Sequence, residues 1–262
     1  MLVGTEGIVF VNTSLRKCKR YDIELTAGSS GSNRCFRGSG TIFRNGWTDG
    51  LPVVPPEPDR VEAMLVMEGR PRETVIASHS TTGRQCSVQA AAVNAVMAGC
   101  LPMHFPLVVT AFTAMLQEPF LLHGATSSTG GCAVLIIING PIREELGMVG
   151  TFNALGSSDR ATTVIGRTIR LILCNLLDVR PGDVDRSTLG HPGKFSYCIA
   201  EDENNTNWLP LAEERDIPKF ASAVTVMAAG APRQLMNEWS TDPKEILDTY
   251  IAEIKANMRH YS

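Results

Sequence analysis

The sequence predicts an α/β or α+β fold: one mixed sheet, a long buried central helix at about 158–177, and an amphipathic helix at the C-terminus. Three observations predict it. Ala133-Val-Leu-Ile-Ile-Ile138 is an unbroken, mostly β-branched run of strand length. Beyond Asp159, the residues Val164, Ile165, Ile169, Ile172, Leu173 and Leu176 cover more than one side of a helix, so that helix belongs in the interior. Strand-like and helix-like segments interleave along the chain, as they do where both share one core.

The elements follow in order. Residues 1–45 carry a basic cluster (Arg16, Lys17, Lys19, Arg20) and then Gly28-Ser-Ser-Gly-Ser-Asn33. Their strand-like pieces, Ile8-Val-Phe-Val11 and Tyr21-Asp-Ile-Glu-Leu25, have no sustained period. This segment is expected to be an extension, mobile in part or covering a neighbouring subunit, with residues 46–262 forming one compact domain. Four prolines between 52 and 58 hold the entry to that domain extended. Pro58 then opens a helix to Met67, with Val61, Met64 and Leu65 at helical spacing. Glu73–Ala77 reads as a strand. Ser87–Ala98 reads as an alanine-rich helix ended by Gly99, and Pro102 starts another to about 117. After the strand at 133–138 come a short helix at Ile142–Leu146 and the long helix, capped by Ser157 or Ser158. Phe195–Glu201 and Ala223–Ala228 read as strands. Asp242-Pro243 begins the last helix, with Ile246, Tyr250, Ile254 and Met258 on one side.

Bulk properties narrow the classes. A length of 262 residues at 44% hydrophobic content supports one sizeable core. A net charge of −3 without a basic stripe excludes a nucleic-acid footprint. The longest apolar run is far too short to span a bilayer, and the first residues lack the pattern of a secretory signal, so no membrane partner and a cytoplasmic location are expected. Seven cysteines, at 18, 35, 86, 100, 132, 174 and 198, form no C-x-x-C pair, which argues against a disulfide framework or zinc finger. No H-x-x-x-H pair occurs; a metal could come only from distant residues, such as His123, His191 and Glu201.

The chemistry-bearing residues concentrate in a few places. Gly190-His191-Pro192-Gly193-Lys194 is a tight basic loop able to hold a carboxylate or phosphate or to move a proton, with Tyr197 and Glu201 just beyond it. It departs from a P-loop, since Phe195 stands where Ser or Thr would be needed. Arg160 and Arg167, seven residues apart, share a helix side with Arg170 nearby; either could grip a substrate acid. For Arg167 the plainer account is an internal ion pair with Asp49, Glu144, Glu145 or Glu201. Cys100, at a joint between two helices, is the candidate nucleophile, against a plainer role as a small apolar filler. Asp49, in a turn, Asn94, inside an apolar helix, and Asn139, just past a buried strand, are candidate substrate contacts. Cys132 precedes that strand, the end opposite the usual α/β site, and ranks lower.

Taken together, Trp47-Thr-Asp-Gly-Leu-Pro-Val-Val-Pro-Pro56, Asn94-Ala-Val-Met-Ala-Gly-Cys100, Asn139-Gly-Pro-Ile142, Ile165-Gly-Arg167 and Gly190-His-Pro-Gly-Lys194 through Ala200-Glu201 resemble a family of largely uncharacterised microbial proteins, over roughly residues 46–230. Similar proteins are associated with partners carrying a Cys-Gly-Ser-Cys or selenocysteine-Gly-Ser-Cys motif. The resemblance therefore implies thiol or selenol redox chemistry shared between two chains. This chain has no such motif of its own. Residues 1–45 and Gly130-Gly-Cys132 depart from the family pattern, which lowers Cys132 further.

The leading expectation is a small-molecule enzyme, a lyase or hydrolase without an organic cofactor, acting on a compact anionic substrate. Lys194 and His191 would bind or protonate, Tyr197 and Glu201 would assist, Arg160 or Arg167 would hold the acid, and Cys100 would attack. The alternatives are a redox subunit exchanging through Cys100 with a partner protein, and a non-catalytic scaffold of an oligomer. A homo-oligomer is expected in each case.

Overall fold

The computed structural model describes residues 8–11, 42–78, 83–156 and 159–258. The expected strand at 21–25, the basic cluster at 16–20 and the two serines at 157 and 158 lie outside them. The fold is α+β, built on a mixed four-stranded sheet ordered β1 (Ile8–Val11), β6 (Ala223–Ala229), β4 (Ala133–Asn139), β5 (Cys198–Ala200). A separate hairpin pairs β2 (Val75–Ser78) with β3 (Gln85–Ser87). The helices are α1 (Pro58–Glu68), α2 (Val88–Ala98), α3 (Phe105–Met115), α4 (Leu122–Thr126), α5 (Ile142–Glu145), α6 (Arg160–Asn175) and α7 (Pro243–Met258).

Strand β4 organises the sheet. It runs antiparallel to β6 from Ala133 opposite Ala229 to Asn139 opposite Ala223, and parallel to β5 from Ile136 to Ile138. Its Ile136 and Ile138 join Val224 and Val226 of β6 in the main core, since alternate residues of a strand share a side. The segment Ile8–Val11 is not outside this unit. It forms the edge strand, antiparallel to β6.

Helices α3 and α6 pack on the sheet, and α2 packs against α1, α3 and α6. Small residues let α2 approach closely: Ala91, Ala92 and Ala95 are buried on it. Ser87 caps α2 through its hydroxyl to the Ala90 N–H, and Gly99 ends it in the left-handed region at φ 95°. The expected helix from 102 to 117 is two pieces. Pro102–His104 is a 3-10 turn, Phe105 starts α3, and Pro106 sits in its first turn, where a missing N–H costs no helical bond. Phe105, Leu107, Val108, Val109, Ala111 and Phe112 on α3 are all fully buried.

The long helix is 160–175 rather than 158–177, and eleven of its sixteen residues are buried. Asp159, not a preceding serine, is its cap, accepting from the Thr162 N–H at 2.8 Å. Helix α7 was expected to be amphipathic, and its apolar residues do lie along a stripe, but that stripe faces outward: Tyr250, Ile251 and Ile254 are exposed, and only Ile246 is half-buried. Among the described residues no single helix is long and apolar enough to cross a membrane. The bent pair of Pro102–Met115 and Glu118–Thr126 passes that test jointly, but the first of them is core.

His104 sits at the turn into α3 with its Nδ1 accepting from the Leu101 N–H at 3.2 Å. Burial, with the nearby Arg160 charge, depresses its pKa from 6.5 to about 4, against a smaller opposing pull from Asp159. A depressed histidine favours the unfolded chain once protons are available. Its contribution is therefore complete above pH 6.5 and is lost as pH falls toward 4, with about 2 kcal/mol gone by pH 5. Urea unfolding at pH 7 and pH 5 should show this loss in the wild type, and His104→Gln should flatten the slope. Equal slopes in the two proteins would contradict it.

Candidate functional site

The site starts from one residue without a side chain. Gly166 lies in the middle of α6 where the segment 196–198 crosses it. A Cβ there would overlap the Ser196 hydroxyl oxygen and lie 2.8 Å from the Tyr197 nitrogen. Ser196 closes the contact by donating its hydroxyl to the Thr163 carbonyl at 2.8 Å. Arg170, one turn further along the same side of α6, is thereby brought opposite the basic loop.

That loop is held rigidly. His191 accepts the Gly193 N–H on Nδ1 at 3.2 Å and reaches the Ala229 carbonyl with Nε2 at 3.3 Å. Its ring stands edge-on to Tyr197, with centroids 5.5 Å apart. Both ring nitrogens are thus engaged in fastening Pro192–Lys194, a 3-10 turn, to the end of β6. The Tyr197 hydroxyl reaches the Gly230 carbonyl at 3.3 Å, and burial raises its pKa.

Lys194 turns inward. Its ammonium lies 2.7 and 2.8 Å from the two carboxylate oxygens of Asp185 and 2.6 Å from the Ser187 hydroxyl. All three of its N–H groups are therefore spoken for. Burial pushes the Asp185 carboxyl up, but Lys194 and the Ser187 hydroxyl and N–H outweigh it, so the group stays ionised below the ordinary range. Arg170 approaches the same carboxylate only to 3.6 Å. Two cations thus face one carboxylate.

These groups line a cavity together with Cys132, Gly166 and Tyr197, walled by Ile169 and Leu173 of α6. The cavity leaves about 30 Å³ for the centres of water-sized groups, room for a small polyatomic ion. The Cys132 thiol lies 3.1 Å from the Ala125 carbonyl as donor. Burial raises its pKa, with the Lys194 charge pulling the other way.

Of the residues expected at the site, the structure brings together Lys194 and Tyr197 in the cavity, with His191 directly behind them. The others are elsewhere. Cys100 is buried, its sulfur 3.2 Å from the Thr168 hydroxyl, and burial lifts its pKa to about 12. A thiol so buried carries little thiolate at neutral pH, and His104 beside it is turned back on its own turn. Arg160 binds the Gly99 carbonyl at the end of α2 through two nitrogens, at 2.8 and 3.1 Å. Arg167 grips Asp49 bidentately at 2.8 Å and also the Pro52 carbonyl, the internal pair that was the plainer account of it. Asn94 receives the Asn175 amide at 2.8 Å. Asp49, Asn94, Arg160 and Arg167 therefore tie the entry segment and helices together, and none of them lines this cavity.

Asn139 and Glu201 meet at the opposite end of β4. The Asn139 amide donates to Glu201 at 2.6 Å and to Glu203 at 2.8 Å, Arg143 pairs with Glu203 at 2.7 Å, and the Leu211 N–H reaches Glu201 at 3.0 Å. Among the described residues no three His, Cys, Asp or Glu side chains gather as a metal set, so His123, His191 and Glu201 do not converge. The sequence pattern does not single out Asp185 or Ser187, names Arg170 without choosing it, and ranks Cys132 low. The available signal was the i, i+4 relation of Gly166 to Arg170 on one helix side.

The chain was compared with family models, curated proteins and solved structures, and it matches none of them.

Gly166→Ala should force the 196–197 crossing away from α6. It is expected to cost about 1–3 kcal/mol, lowering Tm by roughly 2–10 °C in a thermal melt. A Tm equal to wild type would show that the crossing is not tight.

Proposed function

We propose that this protein is a small-molecule enzyme, a lyase or hydrolase, whose substrate is a compact anion seated in the cavity between α6 and the 190–197 loop. One observation carries this reading. Arg170 is 13% exposed, borders the cavity, and has among the described residues only the 3.6 Å approach to Asp185. A nearly buried guanidinium carries five donors whose desolvation is costly when they stay unused. A carboxylate or phosphate entering the cavity would accept from them in the bidentate manner that suits arginine. Lys194, bonded to both carboxylate oxygens of Asp185, adds positive potential to the cavity wall. His191 supports the loop, because both of its ring nitrogens have partners. The five described cysteines are free thiols, which fits the cytoplasm.

Calorimetry with formate, acetate, short dicarboxylates and inorganic phosphate tests this. At least one should bind, and Arg170→Gln should weaken it about 10- to 100-fold, the worth of one charged hydrogen-bond pair. Absence of binding by all of them at millimolar concentration, or equal affinity in the variant, would contradict the reading.

A second reading, an assembling subunit, is favoured by the outer side of α7. Leu247, Tyr250, Ile251 and Ile254 recur at helical spacing and are 44–60% exposed. Such a stripe on an isolated chain leaves apolar surface in water. Light scattering should give a mass of two or more chains, and Leu247→Asp with Ile254→Asp should reduce it to one. A monomeric wild type would set this reading aside.

A further inference from the structure

The segment that borders the anion cavity also borders a second, larger one. Gly193, Lys194 and Tyr197 line the first, and Pro192, Phe195 and Ser196 line the other. Thr162 and Thr163, in the first turn of α6, and Leu155, in the turn before that helix, supply the facing wall. The second cavity leaves about 160 Å³ for the centres of water-sized groups, against about 30 Å³ in the first. An apolar cavity of roughly 150 Å³ accepts benzene, so a six-membered ring fits this space and not its neighbour.

The lining decides what kind of ring. Among its described residues there is no Lys, Arg, His, Asp or Glu. A charged group entering would lose water and gain no counter-charge, so the fitting occupant is neutral. The hydroxyl protons of the wall are already committed. Thr162 donates to the Asp159 carboxylate at 3.0 Å, Thr163 to the Asp159 carbonyl at 2.8 Å, and Ser196 to the Thr163 carbonyl at 2.8 Å. A hydroxyl that has spent its proton can still accept, and donation to a carboxylate makes the Thr162 oxygen a better acceptor. Two large apolar side chains of the lining stand half in water: Phe195 is 51% exposed and Leu155 52%. A ring seated here takes apolar surface of both out of water and meets the aromatic ring of Phe195.

We infer that this cavity is a binding site for a compact neutral aromatic alcohol, a phenol, distinct from the anion cavity and independent of the anion reading. The ring occupies the space bordered by Leu155, Pro192 and Phe195. The phenolic hydroxyl is the donor for a wall whose own hydroxyl protons are spent. A phenol keeps its proton at neutral pH, so it brings no charge into an uncharged lining. A ring compound bearing a carboxylate gains nothing here, and the 30 Å³ cavity is too small to take its ring instead.

Phenol, anisole and benzoate test this by NMR titration of the full chain at pH 7. Phenol has the ring and the donor, anisole the ring without the donor, and benzoate the ring with a charge. Phenol should bind with a dissociation constant of about 1 mM, in the range open to a ligand of its size. Anisole should bind about 3- to 10-fold more weakly, the worth of one ordinary hydrogen bond, and benzoate more weakly still. This series needs no variant to fold. Phe195→Ala and Leu155→Ala each replace a half-exposed side chain, and each should weaken phenol about 3- to 10-fold through lost apolar contact, with a thermal melt run alongside to show that the variant is folded. No binding of phenol to the wild type at about 10 mM, ten times the expected constant, would overturn the inference. So would anisole or benzoate binding as tightly as phenol, or phenol affinity unchanged in both folded variants.

Discussion

The close crossing of α6 by the segment 196–198 is the constraint on which the rest of the site depends. A glycine inside a helix costs about 1 kcal/mol relative to alanine, so its presence at 166 needs an offsetting contact. The contact is the Ser196–Thr163 hydrogen bond and the packing of the Tyr197 backbone against the bare helix surface. The two cations of the cavity lie next to that crossing. Lys194 precedes it by two residues, Tyr197 is part of it, and Arg170 is one helical turn along from Gly166. His191 then locks the loop from the other side through Ala229.

The two ends of β4 show how polar groups can be spent differently. At the Asn139 end, two glutamates, Arg143, the Asn139 amide and backbone N–H groups of Gly140 and Leu211 are mutually bonded, and only the Asn139 amide oxygen is without a partner. A network satisfied in that way stiffens the turn after the strand. At the Cys132 end, cations outnumber carboxylates and Arg170 has donors left over. An excess of unspent donors beside a cavity is the condition for taking up an anion, and a saturated network is not. The rule that sites lie at the carboxyl ends of strands presumes a parallel sheet. Here β4 is parallel only to β5, while β6 beside it runs the other way, so the rule has no hold on this strand.

Much of the fold was legible in the sequence because local signals and burial agreed. Pro58 opening α1, Ser87 and Gly99 bounding α2, and the β-branched run of β4 each gave the element that forms. What was not legible depends on contacts between distant residues. The strand β3 is three residues long and exists through its pairing with β2, and the short helix α4 follows Leu121, a residue held at φ 50°. Asp159 rather than a serine caps α6 because its carboxylate also ties down the Val149 N–H, ten residues back. The site was half legible. The basic loop and the arginine-rich helix were visible as segments, and they do line one cavity. Which arginine faces the loop could not be read without knowing that Asp49 takes Arg167 and the end of α2 takes Arg160. Helix-end arguments favoured Cys100, and its depth of burial is something that no local pattern reports.

The central claim is that Arg170 and Lys194 jointly present an anion-accepting cavity at the start of β4. The most direct measurement is a crystal structure of the protein with acetate. The account predicts the carboxylate between α6 and the 190–197 loop, its oxygens about 2.7–3.0 Å from the Arg170 guanidinium, with the Lys194–Asp185 pair still in place. Acetate bound elsewhere, or an Arg170 side chain closed directly onto Asp185 with no room left in the cavity, would contradict it.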